Sequence, residues 1–301
     1  MHDTHFRGWA KPGPLPPGAL SPPEVLPTES LDAISGHFRL FQLRDGHRFS
    51  TDDVLTAWYG TTWVPRASTV LDLGSGIGSV GMVAAWRLPS AAFVTVEAQD
   101  ESVRLARKSA AFNGLEARYA IRLGDFRDAG VLADDERFDL VLGSPPYFPR
   151  GTGVEGDHPQ KVQCRFEVRG DISDYTRVAM AHLAPGGIFA CVFPSAQLDR
   201  VERAAVDAGA VILRRRPVVF REGDAPLVDL FAMMRAVDLP EAMRAATWVE
   251  PPLVILRPTM RLAYCTGMRR WPSWMNTTAA VMSTSITGTM RRVPIGSCPT
   301  G

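Results

Sequence analysis

The 301-residue sequence predicts an α/β protein built on a doubly wound, seven-stranded sheet. Between Thr69 and Pro194, short apolar runs alternate with longer runs that read as helices. This alternation is typical of successive βαβ units with right-handed crossovers around a parallel sheet. Two further strand-like runs, residues 211–220 and 227–236, flank the turn-forming Arg221-Glu222-Gly223-Asp224. They predict a terminal antiparallel hairpin.

The composition is that of an ordinary globular protein. Hydrophobic residues make up 46% and charged residues 22% of the chain, and the net charge is +1. So small a net charge draws no nucleic acid from a distance, and any basic surface must be local. No apolar run approaches the roughly 18 residues of a membrane helix, and the N-terminus lacks an apolar signal region. We therefore expect a cytoplasmic protein without a membrane segment. The four cysteines have no metal or redox spacing, so no metal site is expected.

Changes in composition divide the chain into three parts. Residues 1–30 are rich in proline and predict a disordered arm. Residues 31–258 form the predicted folded domain, with an N-terminal cap at 31–67 and a core at 68–236. Residues 259–301 are an irregular tail without a clear period.

Within the domain, each element follows from a local signal. Residues 38–43 alternate between apolar and polar side chains, as a strand does, and Ser50 precedes a helix as a capping residue. Asn113-Gly114 and Pro185-Gly186-Gly187 end two further helices. The other predicted elements are strands at 69–73, 92–96, 120–123, 139–143 and 188–193, and helices at 80–87, 101–112, 175–183 and 196–208.

A glycine loop follows the first core strand. Gly74, Gly76 and Gly78 lead directly into a helix, and Asp72 precedes them by two residues. Glycine lets the backbone turn sharply and approach a ligand closely. The Gly-x-Gly-x-Gly spacing and the negative Asp72 suit an amino-bearing ligand better than a pyrophosphate. A glycine-rich turn without a ligand is the alternative.

Polar residues also end the next two strands. Glu97 ends one strand, where a carboxylate can accept both hydroxyls of a ribose, and Asp125-Phe126 ends the other. Asp125 suits an adenine amine and Phe126 the adenine ring, although a helix cap and a core residue would look the same. Ligands of open α/β sheets bind at the carboxyl ends of strands, which favours a joint site.

Ser144-Pro145-Pro146-Tyr147 ends the strand at 139–143. Two prolines cannot donate ladder hydrogen bonds, so the strand stops there. The turn presents carbonyls, a hydroxyl and an aromatic ring, which suits a planar group bearing an NH2. Taken alone, the same residues also fit a strand-ending turn with a buried tyrosine.

These motifs together resemble the class I S-adenosylmethionine-dependent methyltransferases over roughly residues 68–236. That resemblance implies a Rossmann-like methyltransferase sheet and S-adenosyl-L-methionine as cofactor. It implies cofactor contacts at the glycine loop with Asp72, at Glu97 and at Asp125-Phe126. Ser144-Pro145-Pro146-Tyr147 looks like the (Asn/Asp/Ser)-Pro-Pro-(Tyr/Phe/Trp) catalytic motif of the amino-methylating branch.

A narrower resemblance is to the bacterial tRNA(Val) adenine-N6 methyltransferases. It rests on residues 38–58, on Tyr147-Phe148 and on residues 221–226, and it implies a tRNA partner. That family has a Thr-Asp pair near the cofactor, here Thr51-Asp52, and it usually has Asn in place of Ser144. Substrate contacts are expected from Phe148, Arg150, Arg165 and Arg169. Arg214, Arg215 and Arg216 suit either phosphate contacts or a solvated strand face.

The resulting hypothesis is methyl transfer to adenine N6 in structured RNA. Ser-Pro-Pro-Tyr also occurs in cytosine-N4 methyltransferases, which keeps that target open. Three other interpretations fit the same motifs: methylation of guanine N2, methylation of the side-chain amide of a protein glutamine, and a catalytically inactive cofactor-binding protein. The sequence identifies neither the RNA nor the oligomeric state.

Overall fold

The computed structural model describes residues 4–6, 8–148, 167 and 170–256. Arg150, Arg165, Arg169 and the predicted tail at 259–301 lie outside the described residues. Two short strands, His5–Phe6 and Trp9–Ala10, pair with each other in the N-terminal arm. The other strands are β1 Glu29–Ser35, β2 Phe38–Leu43, β3 Thr69–Leu73, β4 Ala92–Glu97, β5 Tyr119–Leu123, β6 Phe138–Gly143, β7 Leu183–Pro194, β8 Ala210–Arg221, β9 Val228–Arg235, β10 Trp248–Val249 and β11 Leu253–Leu256. The helices are α1 Thr51–Trp63, α2 Ser79–Arg87, α3 Asp100–Asn113, α4 Ile172–His182 and α5 Leu198–Asp207.

The main sheet has the order β10-β8-β9-β7-β6-β3-β4-β5, and β11 pairs with β8. Strands β3 to β7 pair in parallel, whereas β9 runs antiparallel to both β7 and β8. This confirms the predicted doubly wound sheet with its terminal antiparallel hairpin. The short strands β10 and β11 extend the sheet beyond the seven predicted strands.

The register of the central strands brings their carboxyl ends level with one another. Leu73 lies opposite both Val96 and Gly143, and Glu97 lies opposite Leu123. The residues that follow these strands therefore emerge along a single edge, as the sequence predicts.

Apolar side chains cover both faces of the sheet. On one face, α1, α2, α3 and the β1–β2 hairpin pack against residues such as Leu140 and Ala190. On the other face, α4 and α5 pack against Phe189 and Phe231. Complete burial of one such aromatic side chain stabilises the fold by roughly 1.5–3 kcal/mol. The two layers hold the strand ends in fixed positions.

The N-terminal hairpin is fastened to the core by side chains of α3. Arg39 N donates to Asn113 Oδ1 at 2.9 Å, and Phe41 N donates to Ser109 Oγ at 2.9 Å. These bonds satisfy backbone groups that a longer sheet would otherwise pair. The hairpin thus fixes the start of α1, which follows it in the chain.

The proline-rich arm differs from the disordered segment predicted for residues 1–30. In its described part, Lys108 Nζ donates to Glu24 O at 2.7 Å, and His37 Nε2 lies 3.1 Å from Lys11 O. Gly18 packs so closely on the Phe112 ring that an added Cβ would lie 2.5 Å from it. The arm is ordered by contacts with residues of the core, and local composition does not indicate such contacts.

Strand β7 also begins earlier than predicted. It starts at Leu183, which pairs with Phe138, and the next pair joins Ile188 to Leu140. Pro185-Gly186-Gly187, predicted to end the preceding helix, therefore form an irregularity within the strand, and that helix ends at His182. A Cβ on Gly187 would lie 2.9 Å from Phe138 O, so glycine is needed for this close approach.

Candidate active site

A cavity of about 600 Å³ opens at the carboxyl ends of β3, β4, β5 and β6. Its wall combines the glycine loop, the ends of β4 and β5, the Ser-Pro-Pro-Tyr turn, the first turn of α1 and the loop before it. Of the predicted site residues, the cavity is lined by Gly74, Gly76, Glu97, Asp125, Phe126, Ser144, Pro145, Pro146, Tyr147 and Phe148. Three described residues that were predicted as cofactor contacts do not line the cavity: Thr51, Asp72 and Gly78.

The glycine loop has a left-handed backbone at all three glycines. The φ angles are +59° at Gly74, +55° at Gly76 and +89° at Gly78, a region that other residues rarely adopt. A Cβ on Gly74 would lie 2.0 Å from the Tyr175 hydroxyl oxygen, whereas a Cβ on Gly76 would meet no atom within 4 Å. The loop therefore packs tightly against α4 at Gly74 and leaves open space above Gly76.

Glu97 is held in position by backbone amides. Gly76 N donates to Oε2 at 2.9 Å, and Gln99 N donates to Oε1 at 2.8 Å. The side chain is buried yet lines the cavity. A carboxylate at this edge of the sheet is of the kind that accepts hydrogen bonds from the hydroxyl groups of a ligand.

Asp72 lies beneath the loop and contacts the start of α2. Its Oδ2 accepts from Gly81 N at 2.9 Å, and the carboxyl is fully enclosed. Burial holds the pKa of the Asp72 carboxyl well above its usual range, and the nearby Asp53 and Glu97 add to the effect. The Asp72 carboxyl therefore binds the backbone of α2, the helix that follows the glycine loop.

Asp125 and Phe126 lie together at the end of β5. Arg127 binds the Asp125 carboxylate through two hydrogen bonds of 2.9 and 2.7 Å. The Phe126 ring meets the Tyr175 ring edge to face, with centroids 4.7 Å apart. Both side chains therefore have protein partners as well as a place on the cavity wall.

The Ser-Pro-Pro-Tyr turn is held by α1 and by the segment after β7. Tyr147 donates its hydroxyl to Asp52 Oδ2 at 2.7 Å, and its carbonyl accepts from Gln197 Nε2 at 3.1 Å. The Tyr147 ring packs edge to face on Phe193, with centroids 5.6 Å apart. Burial raises the pKa of the Asp52 carboxyl, while the bond from Tyr147 works against that rise.

Asp53, the next residue, is fully enclosed and joins three parts of the site. It accepts from Ser50 N at 3.0 Å, which completes the capping box of α1, and from Ser79 Oγ at 2.9 Å. Burial raises the pKa of Asp53, while interactions with Ser50, Ser79 and the Ser144 hydroxyl lower it. The Ser50 amide and the Ser79 hydroxyl both donate to this carboxyl group.

Sequence reasoning missed several residues of the cavity wall. Of the Thr51-Asp52 pair, Asp52 reaches the cavity, and Asp53, Tyr175, Arg44 and Arg48 line it too. No local pattern marks these residues. Asp53 is accounted for as part of a helix start and the tyrosine as one apolar position of α4, whereas the Thr51-Asp52 pair was expected near the cofactor from the family resemblance.

The three successive arginines on β8 are engaged within the protein. Arg214 is sandwiched between the rings of Trp63 and Trp248, at 3.6 and 4.0 Å from their centroids. Arg215 Nε lies 3.0 Å from the buried carboxylate of Asp229, and Arg216 lies 3.6 Å from Glu250. The three arginines therefore contact other side chains of the protein, whereas the sequence suggested either phosphate contacts or a solvated strand face.

Comparison with known proteins places the site in a family context. Residues 58–162 match the family model described as the methyltransferase small domain. This span includes the glycine loop, Glu97, Asp125 and the Ser-Pro-Pro-Tyr turn. It also includes Arg150, outside the described residues.

Curated relatives carry a more specific name, tRNA1(Val) (adenine(37)-N6)-methyltransferase. The Porphyromonas gingivalis protein is 30% identical over 157 residues, which cover 50% of this chain and 60% of that protein. The Shewanella amazonensis protein is 29% identical over 205 residues, covering 67% of this chain and 85% of that protein. The chain thus spans less than two thirds of the first relative's length. A release factor glutamine methyltransferase of Aliivibrio fischeri is 30% identical over 105 residues, 34% of each chain.

Solved structures support the fold. A protein described as an O-methyltransferase of Agrobacterium tumefaciens superposes with a TM-score of 0.54 and 21% identity, over 75% of this chain and 95% of that one. A Listeria monocytogenes protein assigned to the class I S-adenosylmethionine-dependent methyltransferases superposes with a TM-score of 0.51 and 13% identity, over 74% of this chain and 71% of that one.

The fold resembles that of the class I methyltransferases, and residues 58–162 match the methyltransferase small domain, in agreement with the resemblance that the sequence predicts. The relatives in turn confirm its similarity to the bacterial tRNA1(Val) adenine-N6 methyltransferases. Across the described residues, none of the helices combines the length and apolar character needed to span a membrane.

Proposed function

We propose that this protein transfers a methyl group from S-adenosyl-L-methionine to adenine N6 in a structured RNA, with tRNA as the substrate class. One observation carries the proposal. The glycine loop, Glu97 and the Ser-Pro-Pro-Tyr turn line one continuous cavity, so donor and acceptor sites share a wall. The names of the curated relatives support adenine N6 and tRNA as the finer assignment.

The cavity residues fit the proposed cofactor. A volume of about 600 Å³ lies within the usual range for sites that bind small molecules. The hydroxyl of Ser75 lines the cavity, is buried, and has no hydrogen-bond partner among the described residues. Glu97 offers carboxylate oxygens suited to a ribose, and the space above Gly76 admits a ligand against the backbone. When bound, this cofactor supplies an electrophilic methyl group on a positively charged sulfur.

The Ser-Pro-Pro-Tyr turn is the part of the cavity wall assigned to binding the acceptor amine. An aromatic NH2 is a weak nucleophile because its lone pair is delocalised into the ring. Acceptance of its hydrogens by the Pro145 carbonyl and the Ser144 hydroxyl favours a tetrahedral nitrogen and frees that lone pair. The Tyr147 ring stacks on the base, a contact of roughly 1–3 kcal/mol. The protein's contribution is then mainly positioning.

The position of the Ser-Pro-Pro-Tyr turn in the cavity wall favours an unpaired base. A base inside a duplex cannot reach such a pocket, so the target is extruded or single-stranded. Arg44 and Arg48 lie on the loop before α1 and line the cavity. Arg48 already pairs with Asp32 at 2.8 Å, whereas Arg44 donates through Nε to Pro27 O at 3.1 Å. Arg44 is therefore the better placed of the two for a phosphate.

Methyl incorporation tests this proposal directly. The purified protein is incubated with radiolabelled cofactor and either total tRNA or a bacterial protein extract. We expect label in tRNA, and N6-methyladenosine on mass spectrometry of its nucleosides. Label in another nucleoside would retain the methyltransferase and reject the adenine assignment.

Glutamine-N5 methylation of a protein is the second candidate. It is favoured by the 105-residue similarity to a release factor glutamine methyltransferase. A side-chain amide also presents an NH2 to a Pro-Pro-Tyr turn. Label in the protein fraction, with none in tRNA, would support this second function.

A further inference from the structure

The first turn of α1 contacts both halves of the cavity. Asp52 accepts the Tyr147 hydroxyl at 2.7 Å, across 95 residues of chain. Asp53 accepts the Ser79 hydroxyl at 2.9 Å, and Ser79 is the first residue of α2, directly after the glycine loop. Two neighbouring carboxylates thus hold the loop on one side and the Ser-Pro-Pro-Tyr turn on the other.

We propose that Asp52 and Asp53 are positioning residues that set the Tyr147 ring at a fixed place relative to the glycine loop. This inference rests on the proposed function, since it assigns the ring to the acceptor amine. Asp52 acts on the ring directly through its hydroxyl. Asp53 acts indirectly, because it ties the helix turn that carries Asp52 to the start of α2.

Geometry and burial favour this role over a purely local one. Ser50 and Asp53 complete the capping box of α1 without Asp52: Asp53 accepts from Ser50 N, and the Ser50 side chain accepts from the Asp53 backbone. The bond from Tyr147 to Asp52 adds nothing to the cap. It joins a cavity-lining side chain to a largely enclosed carboxylate, and bonds to charged groups are stronger than those between neutral ones. Such a bond reduces the ring's freedom before substrate arrives.

The same contacts explain how a serine-containing turn is kept in place. The hydroxyl of Ser144 interacts with Asp53, so both ends of the four-residue turn meet the first turn of α1. The turn has no ladder hydrogen bonds from its two prolines to hold it. Side-chain contacts with α1 supply the missing support.

Four variants test the proposal. Asp52→Ala removes the acceptor, Asp52→Asn keeps an acceptor oxygen, Tyr147→Phe removes the donor, and the fourth combines Asp52→Ala with Tyr147→Phe. Asp199→Ala is the matched control, because Asp199 also lies in the first turn of a helix but is exposed and, among the described residues, pairs with Arg203.

We expect Asp52→Ala and Tyr147→Phe each to lower kcat on RNA by about tenfold, the effect of losing one hydrogen bond to a charged group. The dissociation constant of the cofactor, measured by calorimetry, should change less than about twofold, because the bond between Tyr147 and Asp52 does not touch the glycine loop. Asp52→Asn should recover most of the lost kcat, and the double variant should be no slower than the slower single variant. Asp199→Ala should behave as the wild type.

Full kcat in Tyr147→Phe, or additive losses in the double variant, would overturn the proposal. So would equal losses of kcat and cofactor affinity in Asp52→Ala, because a general structural defect predicts that result. If Asp52→Ala does not fold, Asp52→Asn and Tyr147→Phe decide the question alone.

A spectroscopic measurement separates this inference from the proposed function. The 19F signal of 3-fluorotyrosine at position 147 should shift in Asp52→Ala and stay unchanged in Asp199→Ala, whether or not RNA is methylated. Absence of RNA methylation by the wild type, together with the expected shift, would reject adenine N6 and retain the contact. An unchanged signal in Asp52→Ala would reject the contact itself.

Discussion

The two halves of the cavity are built in different ways. In the half around the glycine loop and Glu97, proposed to bind the cofactor and here called the cofactor half, backbone amides hold the acids: Gly76 N and Gln99 N bind Glu97, and Gly81 N binds Asp72. In the half around the Ser-Pro-Pro-Tyr turn, proposed to bind the amine and here called the amine half, side chains hold side chains, as Tyr147 with Asp52 and Ser144 with Asp53 show. The first half depends on backbone conformation and glycine, and the second on specific pairs of polar groups. Each half should therefore respond to a different kind of substitution.

The largest expected effect is that of Tyr147→Ala on the amine half. The change removes both the stacking ring and the hydroxyl bonded to Asp52, so methyl transfer should fall by a factor of about 1,000 or more. Cofactor affinity, measured by calorimetry, should survive, because the ring is not part of the glycine loop. Parallel loss of both would mean that the two halves are not separable.

The next largest effect is that of Gly74→Ala on the cofactor half. The new Cβ would lie 2.0 Å from the Tyr175 hydroxyl oxygen, in a backbone region already unfavourable by about 1–2 kcal/mol for a residue other than glycine. We expect a loss of about 3 kcal/mol or more in the free energy of unfolding, measured in urea without cofactor.

Gly76→Ala is the matched control for that change. Its φ of +55° gives the same backbone strain, but the new Cβ meets no atom within 4 Å. It should lose only about 1–2 kcal/mol of stability while weakening cofactor binding. Equal stability losses in the two variants would show that strain, not the contact with Tyr175, decides the effect.

A smaller effect is expected from Glu97→Gln. Glutamine has only one acceptor oxygen, so one of the amides of Gly76 and Gln99 loses its partner. Cofactor affinity should fall about 10- to 100-fold, in line with the loss of a charge-assisted hydrogen bond. The KM for RNA should not change, and a rise in that KM alone would assign Glu97 to the amine half.

The smallest effect is expected from Arg127→Ala. The Arg127 side chain is about one third exposed, and its pairing with Asp125 is screened by solvent. Stability and cofactor affinity should each change by no more than about 1 kcal/mol. A larger loss of affinity would mean that Asp125 binds the cofactor only when Arg127 orients it.

The comparison also explains how far the sequence could predict the site. The cofactor half involves partners 2 to 21 residues apart, within one strand–loop–helix unit and its neighbour. The amine half depends on a contact across 95 residues. The resemblance placed the Thr51-Asp52 pair near the cofactor, but both Asp52 and Asp53 satisfy the local rules for a helix start, so no local pattern indicated their contacts with Tyr147 and Ser79. The packed arm escaped prediction similarly, since its partners Lys108 and Phe112 lie on a distant helix.

The long separation between Asp52 and Tyr147 has a consequence for the order of synthesis. Residues 69–125, which carry the cofactor half, are synthesised before Tyr147, and the contacts of Glu97 and Asp72 within them are local. Contacts close in sequence form faster than distant ones. The cofactor half should thus mature on the nascent chain with Asp52 and Asp53 already beside it. These two acids would then be in place to bind the Ser-Pro-Pro-Tyr turn once it has been synthesised.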